Sequence, residues 1–114
     1  DGHQIRSFIY VQDVVEALLL VAEKDHMGEP TNISTGEGIS IKTLITEILD
    51  ITGADLEINF NESMPTGKPN KVESVSKLRE RLGWQPKYTF REGLQKTIEW
   101  YREQQIFLRQ GLLL

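Results

Sequence analysis

Residues 5–24 read Ile5-Arg6-Ser7-Phe8-Ile9-Tyr10-Val11-Gln12-Asp13-Val14-Val15-Glu16-Ala17-Leu18-Leu19-Leu20-Val21-Ala22-Glu23-Lys24. The pattern changes inside this stretch. Ile5 to Val11 is rich in β-branched and aromatic residues, which predicts a short strand. Asp13 is then followed by a stretch from Val14 to Ala22 that is apolar except for Glu16. An aspartate there can accept from the free N–H groups of the next turn, so it reads as the N-cap of a helix ending near Lys24. Nearly all faces of that helix are apolar, which predicts burial on most sides. A strand running directly into a buried helix places the chain in the α/β class.

Working outward, Thr31-Asn32-Ile33-Ser34 reads as a second short strand and Thr35-Gly36-Glu37-Gly38 as a turn. Ser40 can cap a helix whose Ile41, Leu44, Ile45, Ile48, Leu49 and Ile51 fall at helical spacing. Gly53 stands where a left-handed C-cap belongs. Leu56-Glu57-Ile58-Asn59-Phe60 alternates like a half-buried strand. Residues 61–71 carry Asn61, Ser63, Pro65, Gly67, Pro69 and Asn70 and read as a loop. Ser74 or Ser76 can open a short helix through Leu78 and Leu82, closed by Gly83. Thr89 and Glu92 are spaced as a capping box for a last helix with Phe90, Leu94, Ile98, Tyr101 and Ile106 on one stripe. The expectation is a single α/β domain over residues 1–114, with short strands and about four helices. A tail over 105–114 is expected to be irregular or to touch a partner, because Phe107-Leu108 and Leu112-Leu113-Leu114 are apolar residues near a terminus.

Leu, Ile, Val and Phe supply 34 of the 114 residues, enough for one core and too many for a disordered chain. Thirteen Lys and Arg against 17 Asp and Glu leave a net charge of −4, which argues against nucleic acid as a partner. With no cysteine, disulfides, cysteine zinc sites and thiol chemistry are excluded. The longest apolar run, Ala17–Ala22, is far short of the roughly 20 residues of a membrane helix. Asp1-Gly2-His3-Gln4 has neither a start methionine nor a charged-then-apolar leader, so the expectation is a soluble cytoplasmic domain cut from a longer protein.

Few residues suggest chemistry. No G-x-G-x-x-G follows a strand, and Gly36 and Gly38 read as turn geometry. His3 and His26 are isolated, and the carboxylates are spread singly. No catalytic acid–base pair and no metal set is therefore expected. Two cationic places stand out. Arg6 lies at the head of the first strand, where a rigidly held guanidinium can make paired hydrogen bonds to phosphate. Pro65-Thr66-Gly67-Lys68-Pro69-Asn70-Lys71 offers Lys68 and Lys71 on a loop stiffened by two prolines, so less ordering entropy is lost on binding an anion.

These residues also carry a resemblance. Arg6-Ser7-Phe8-Ile9-Tyr10-Val11-Gln12-Asp13 resembles the R-D-F-[IL]-[YH]-V-D-D segment of nucleotide-sugar epimerases and dehydratases of the extended short-chain dehydrogenase/reductase family. Asn32-Ile33-Ser34-Thr35-Gly36-Glu37-Gly38-Ile39-Ser40 is similar to their N-[IV]-G-x-G-x-x-[IVT]-[ST]. Pro65 to Lys71, then Ser76-Lys77-Leu78 and Leu82-Gly83-Trp84-Gln85-Pro86, resembles P-x-G-x-P-x-[KR]…S-[KR]…L-G-[WF]-x-P, in the form of the GDP-fucose synthase branch. Glu92-Gly93-Leu94 and Thr97-Ile98-Glu99-Trp100-Tyr101 match the closing helix. Ser7 and Gln12 stand where the first motif has acidic residues, and Ser74 where many members have Asp.

The resemblance implies the C-terminal substrate-binding portion of such an enzyme, without its N-terminal Rossmann domain. In that reading Arg6, Lys68 and Lys71 contact a nucleoside-diphosphate sugar. The glycine fingerprint, the NAD(P) site and the Tyr-x-x-x-Lys pair belong to the absent domain; Tyr10 is not that tyrosine. No cofactor is then bound by this portion, which would be inactive alone and would self-associate through its uncovered face. The competing expectation is a non-catalytic interaction module from a truncated or degenerate paralogue.

Overall fold

The computed structural model describes residues 2–24, 28–61, 63, 65 and 67–109, with backbone alone for 106–109. Its elements run β1 (Ile5–Arg6), α1 (Val11–Lys24), β2 (Ile39–Ser40), α2 (Ile41–Thr52), β3 (Asn70–Lys71), α3 (Ser76–Leu82) and α4 (Phe90–Arg109). The strands form one sheet in the order β2-β1-β3. β2 is antiparallel to β1, pairing Ile5 with Ser40 and Arg6 with Ile39. β3 is parallel to β1, pairing Ile5 with Asn70 and Arg6 with Lys71. The α/β class and the four helices agree with the sequence. Among the described residues no helix is long and apolar enough to cross a membrane.

Strand assignments needed correction. β1 covers two residues rather than the seven of the predicted strand, and 31–34 forms no strand. The second strand falls at Ile39–Ser40, where the chain turns back on β1. Residues 56–60 alternate yet form no strand. β1 is flanked by β2 on one edge and by β3 on the other. That third strand lies inside the segment predicted as loop, where the Ile5 N–H donates to the Pro69 carbonyl at 2.8 Å.

The helix ends follow local chemistry more closely. Ser40 caps α2 by accepting from the Thr43 N–H at 3.0 Å. Gly53 closes α2 at φ 68°, and Gly83 closes α3 at φ 64°. α3 starts at Ser76, whose N–H donates to Ser74 Oγ at 3.3 Å. At α4 the Thr89 N–H donates to Glu92 Oε2 at 2.8 Å and the Glu92 N–H returns to Thr89 Oγ1 at 3.3 Å. That is the predicted capping box. α4 continues to Arg109, so residues 105–109 of the segment expected to be irregular or to touch a partner are helical. Residues 110–114 and His26 lie outside the described residues.

α1 departs from expectation at both its start and its faces. It begins at Val11, which puts Asp13 inside the first turn rather than at the cap. Asp13 is 1% exposed, and its carboxylate accepts from the Lys87 N–H at 2.9 Å and the Tyr88 N–H at 3.2 Å. One face of α1 enters the core through Ala17, beside Leu78 and Trp84, with Leu20 and Val21 packed against them. The other face is open: Val11, Val15, Leu18 and Leu19 are 48–66% exposed. The helix is therefore apolar on two sides and covered on one. The radius of gyration, 17.3 Å, exceeds the roughly 13 Å of a compact 114-residue domain, and the thinnest dimension is 23 Å. The molecule is a slab with a thin core.

Candidate functional site

β1 is the middle strand, so whatever it carries is bracketed by the other two. Arg6 is half-buried and donates from Nη1 to the Ile5 carbonyl at 2.7 Å. Lys71 lies on the same rung of the parallel β1–β3 pair. Partners on one rung project to the same face of a sheet. The fold thus joins two cationic residues 65 positions apart in the sequence. Lys68 is exposed on the segment entering β3, one residue before the Pro69 carbonyl that bonds β1. Arg6 and Lys71 share the C-terminal rung of the β1–β3 ladder, whereas Lys68 precedes the Ile5–Asn70 rung at its other end.

Among the described residues Arg6 and Lys68 make no ion pair, while Lys71 Nζ lies 3.7 Å from Glu73 Oε1 in an exposed contact. A pair that open to water holds its lysine weakly. The charges are set on an open surface. Two clefts lie elsewhere, one of about 190 Å³ lined by Phe8, Ile9, Tyr10, Leu44 and Phe90. The other, about 270 Å³, is lined by Phe8, Glu37, Arg79, Lys87 and Tyr88. Neither includes Arg6, Lys68 or Lys71.

Groups with displaced pKa values are structural contacts. Hydrogen bonds from Arg81 and then Lys77 hold Glu29 below the ordinary glutamate range. The Thr89 backbone does the same to Glu92. Lys87 is raised by Glu16, and Arg91 by Asp50 and Glu47, which it bridges from α4 to α2. Among the described residues no cluster of three potential metal ligands occurs.

A dinucleotide site would need free amides at the start of a helix that follows a strand. At α2 they are spent. The Ile41 N–H donates to the Gln4 carbonyl, the Lys42 N–H to the Gly2 carbonyl, and the Thr43 N–H to Ser40. Gly36 has φ 75° and its N–H donates to Ser34 Oγ, so the glycine pair serves the turn. Tyr10 packs edge-on against Tyr88 at 4.9 Å. Its Cβ would lie 2.8 Å from any Cβ at position 93.

Two polar residues hold contacts that the sequence reading did not find. Asp13 ties α1 to residues 87–88, and Ser34, 2% exposed, bonds Ser7. Asp13 did carry a signal, as an acid leading an apolar helix. Its partner 74 residues away carried none.

A sequence model of GDP-mannose 4,6-dehydratases matches residues 1–97. The dTDP-D-glucose 4,6-dehydratase of Bos taurus is 38% identical over 112 residues, covering 90% of this chain and 30% of its own length. A probable GDP-L-fucose synthase of Oryza sativa subsp. japonica is 31% identical over 102 residues, covering 90% and 31%. Among solved structures, UDP-glucose 4-epimerase of Thermotoga maritima with UDP-glucose superimposes with a TM-score of 0.84 at 36% identity, covering 91% of this chain and 33% of that one. Bordetella bronchiseptica WbmF, in complex with NAD+ and UDP, gives 0.78 at 32%, covering 96% and 32%. The chain spans about a third of the length of these relatives.

Proposed function

Since the chain belongs to the GDP-mannose 4,6-dehydratase family, a group of NAD-dependent nucleotide-sugar epimerases and dehydratases of the extended short-chain dehydrogenase/reductase type, we propose that it binds and positions a nucleoside-diphosphate sugar. The observation that carries this reading is the shared rung of Arg6 and Lys71. A diphosphate carries negative charge on several oxygens, and a guanidinium held at a strand makes charge-assisted, paired hydrogen bonds to it. Lys71 adds a point charge beside it, and Lys68 closes from the adjoining segment. Positioning of this kind contributes to catalysis by holding the sugar in reach of a reactive group.

The nicotinamide cofactor supplies hydride chemistry at a sugar carbon. The amides that open α2 already have partners, which supports the reading that NAD(P) is held by a Rossmann portion of the parent protein rather than by α2. The open side of α1 is where that portion packs. The second reading, a non-catalytic interaction module, draws on the same four exposed side chains.

An amide NMR titration of this chain with GDP-, UDP- and dTDP-sugars tests the proposal, with Arg6→Ala as control. The expected result is saturable shifts centred on Arg6, Lys68 and Lys71 that the variant abolishes. Shifts that persist in Arg6→Ala, or none at millimolar ligand, refute the site and favour the module.

A further inference from the structure

Ser34 lies in an irregular loop yet is almost fully buried, and its hydroxyl both donates and accepts. It donates to Ser7 Oγ at 2.8 Å and accepts from the Gly36 N–H at 3.3 Å. Ser7 Oγ in turn donates to the Glu37 carbonyl at 2.9 Å. Two hydroxyls therefore join the exit of β1 to the 34–38 turn. Side chains pack closely on the two glycines of this turn. A Cβ at Gly38 would lie 2.5 Å from Ile5 Cγ2, and one at Gly36 would lie 3.2 Å from Val75 Cγ2. β2 starts at the next residue, and its Ile39 is the cross-strand partner of Arg6. The relay thus sets how β2 runs beside the strand that carries the guanidinium.

The relay does this without charge. A carboxylate at position 7 could accept from Ser34 but could not donate to the Glu37 carbonyl, and it would stand next to Arg6 in the chain. Its field would oppose an anion at that distance.

Resting on the diphosphate reading above, we infer that Ser7 and Ser34 are a matched pair of positioning residues. Their neutral hydroxyl relay fixes the 34–38 turn on β1 while leaving the positive field of Arg6 undiminished for the anionic part of the ligand.

Two readouts on the 114-residue chain test this. The first is coupling, from amide exchange at Gly36 together with urea stability. Ser34→Gly removes the Gly36 acceptor and speeds its exchange by about tenfold. Ser7→Ala and Ser34→Gly combined cost little more than the larger single change, because each breaks the same unit. Additive effects overturn the relay. The second readout is calorimetric affinity for inorganic pyrophosphate and UDP. Ser7→Asn keeps the affinity, whereas Ser7→Asp lowers it by about three- to tenfold, a loss that shrinks near 0.5 M salt. Equal affinities for the Asn and Asp variants overturn the electrostatic half. Absence of binding by the unmodified chain, with Arg6→Ala indistinguishable, overturns the diphosphate reading and the electrostatic half with it. The coupling result then decides the relay alone.

Discussion

Asp13 offers a sharp test, because its role as cap and its role as tether predict losses of very different size for one substitution. Asn and Ser cap helices about as well as Asp, so a capping Asp13 would tolerate Asp13→Asn at a cost of a few tenths of a kcal/mol. The structure instead shows the carboxylate accepting at both oxygens, from the Lys87 and Tyr88 N–H groups. An asparagine has one acceptor oxygen and would turn its NH2 toward the second N–H, leaving two donors facing each other. Hydrogen bonds to a charged group contribute about 1.5–3 kcal/mol each, and an unsatisfied buried donor costs about 1–3 kcal/mol. The expected loss is about 2–3 kcal/mol for Asp13→Asn and about 3–5 kcal/mol for Asp13→Ala. Urea denaturation followed by circular dichroism reads both, as a lower midpoint at unchanged m-value. The edge contact between Tyr10 and Tyr88 reports the local consequence, since Tyr88 is one of the two residues tethered. A loss below about 0.5 kcal/mol for Asp13→Asn refutes the tether and restores the cap.

Three further outcomes are expected. Gly93→Ala puts a Cβ 2.8 Å from Tyr10 Cβ, and the overlap outweighs alanine's helix-propensity gain of about 1 kcal/mol. A lowered thermal midpoint checks this, and an unchanged or raised one contradicts it. Glu92 and Glu29 have pKa values depressed in the folded chain, so their contribution to stability is fully present above about pH 4.5 and is lost as pH falls through the lower folded-state values. Glu92→Gln flattens the acid limb of a stability–pH profile, and a profile unaltered below pH 5 would sink the assignment. Leu18→Glu with Leu19→Glu lowers concentration-dependent association in sedimentation without lowering the urea midpoint, because both side chains already face water. A chain that is monomeric at all concentrations before substitution counts against self-association through α1.

What the sequence revealed divides by interaction range. Ser40, Gly53, Gly83 and the Thr89–Glu92 box were legible because a cap is set by residues within four positions of one another. β3 was hidden because a two-residue parallel rung next to Pro69 has no compositional signature; only Ile5 identifies it. The alternation over 56–60 misled, since it records which side of the backbone faces inward and says nothing of whether an edge is free. The three cations could be nominated singly by residue type and stiffness of the chain. That Arg6 and Lys71 share a rung follows from a pairing 65 residues long, which no window on the sequence contains.

The two faces of α1 bear on how this portion works as well as how it folds. Its buried cluster is small, Ala17, Leu78 and Trp84, and much of the remaining order comes from polar ties at Asp13 and Ser34. A slab of this kind buries less apolar surface than 114 residues can in a compact domain, so its own stability is modest. Covering Val11, Val15, Leu18 and Leu19 would add about 1.5 kcal/mol or more for each side chain fully removed from water. α1 starts five residues after Arg6 on the same run of chain. Whatever packs on its open face therefore stiffens the strand that carries the guanidinium. In the proposed reading, the surface that joins this portion to the rest of the polypeptide and the surface that holds the diphosphate are two ends of one β–α unit. Domain docking and substrate positioning are then energetically linked, and a charge placed at Leu18 would weaken diphosphate binding in the assembled protein without touching the ligand.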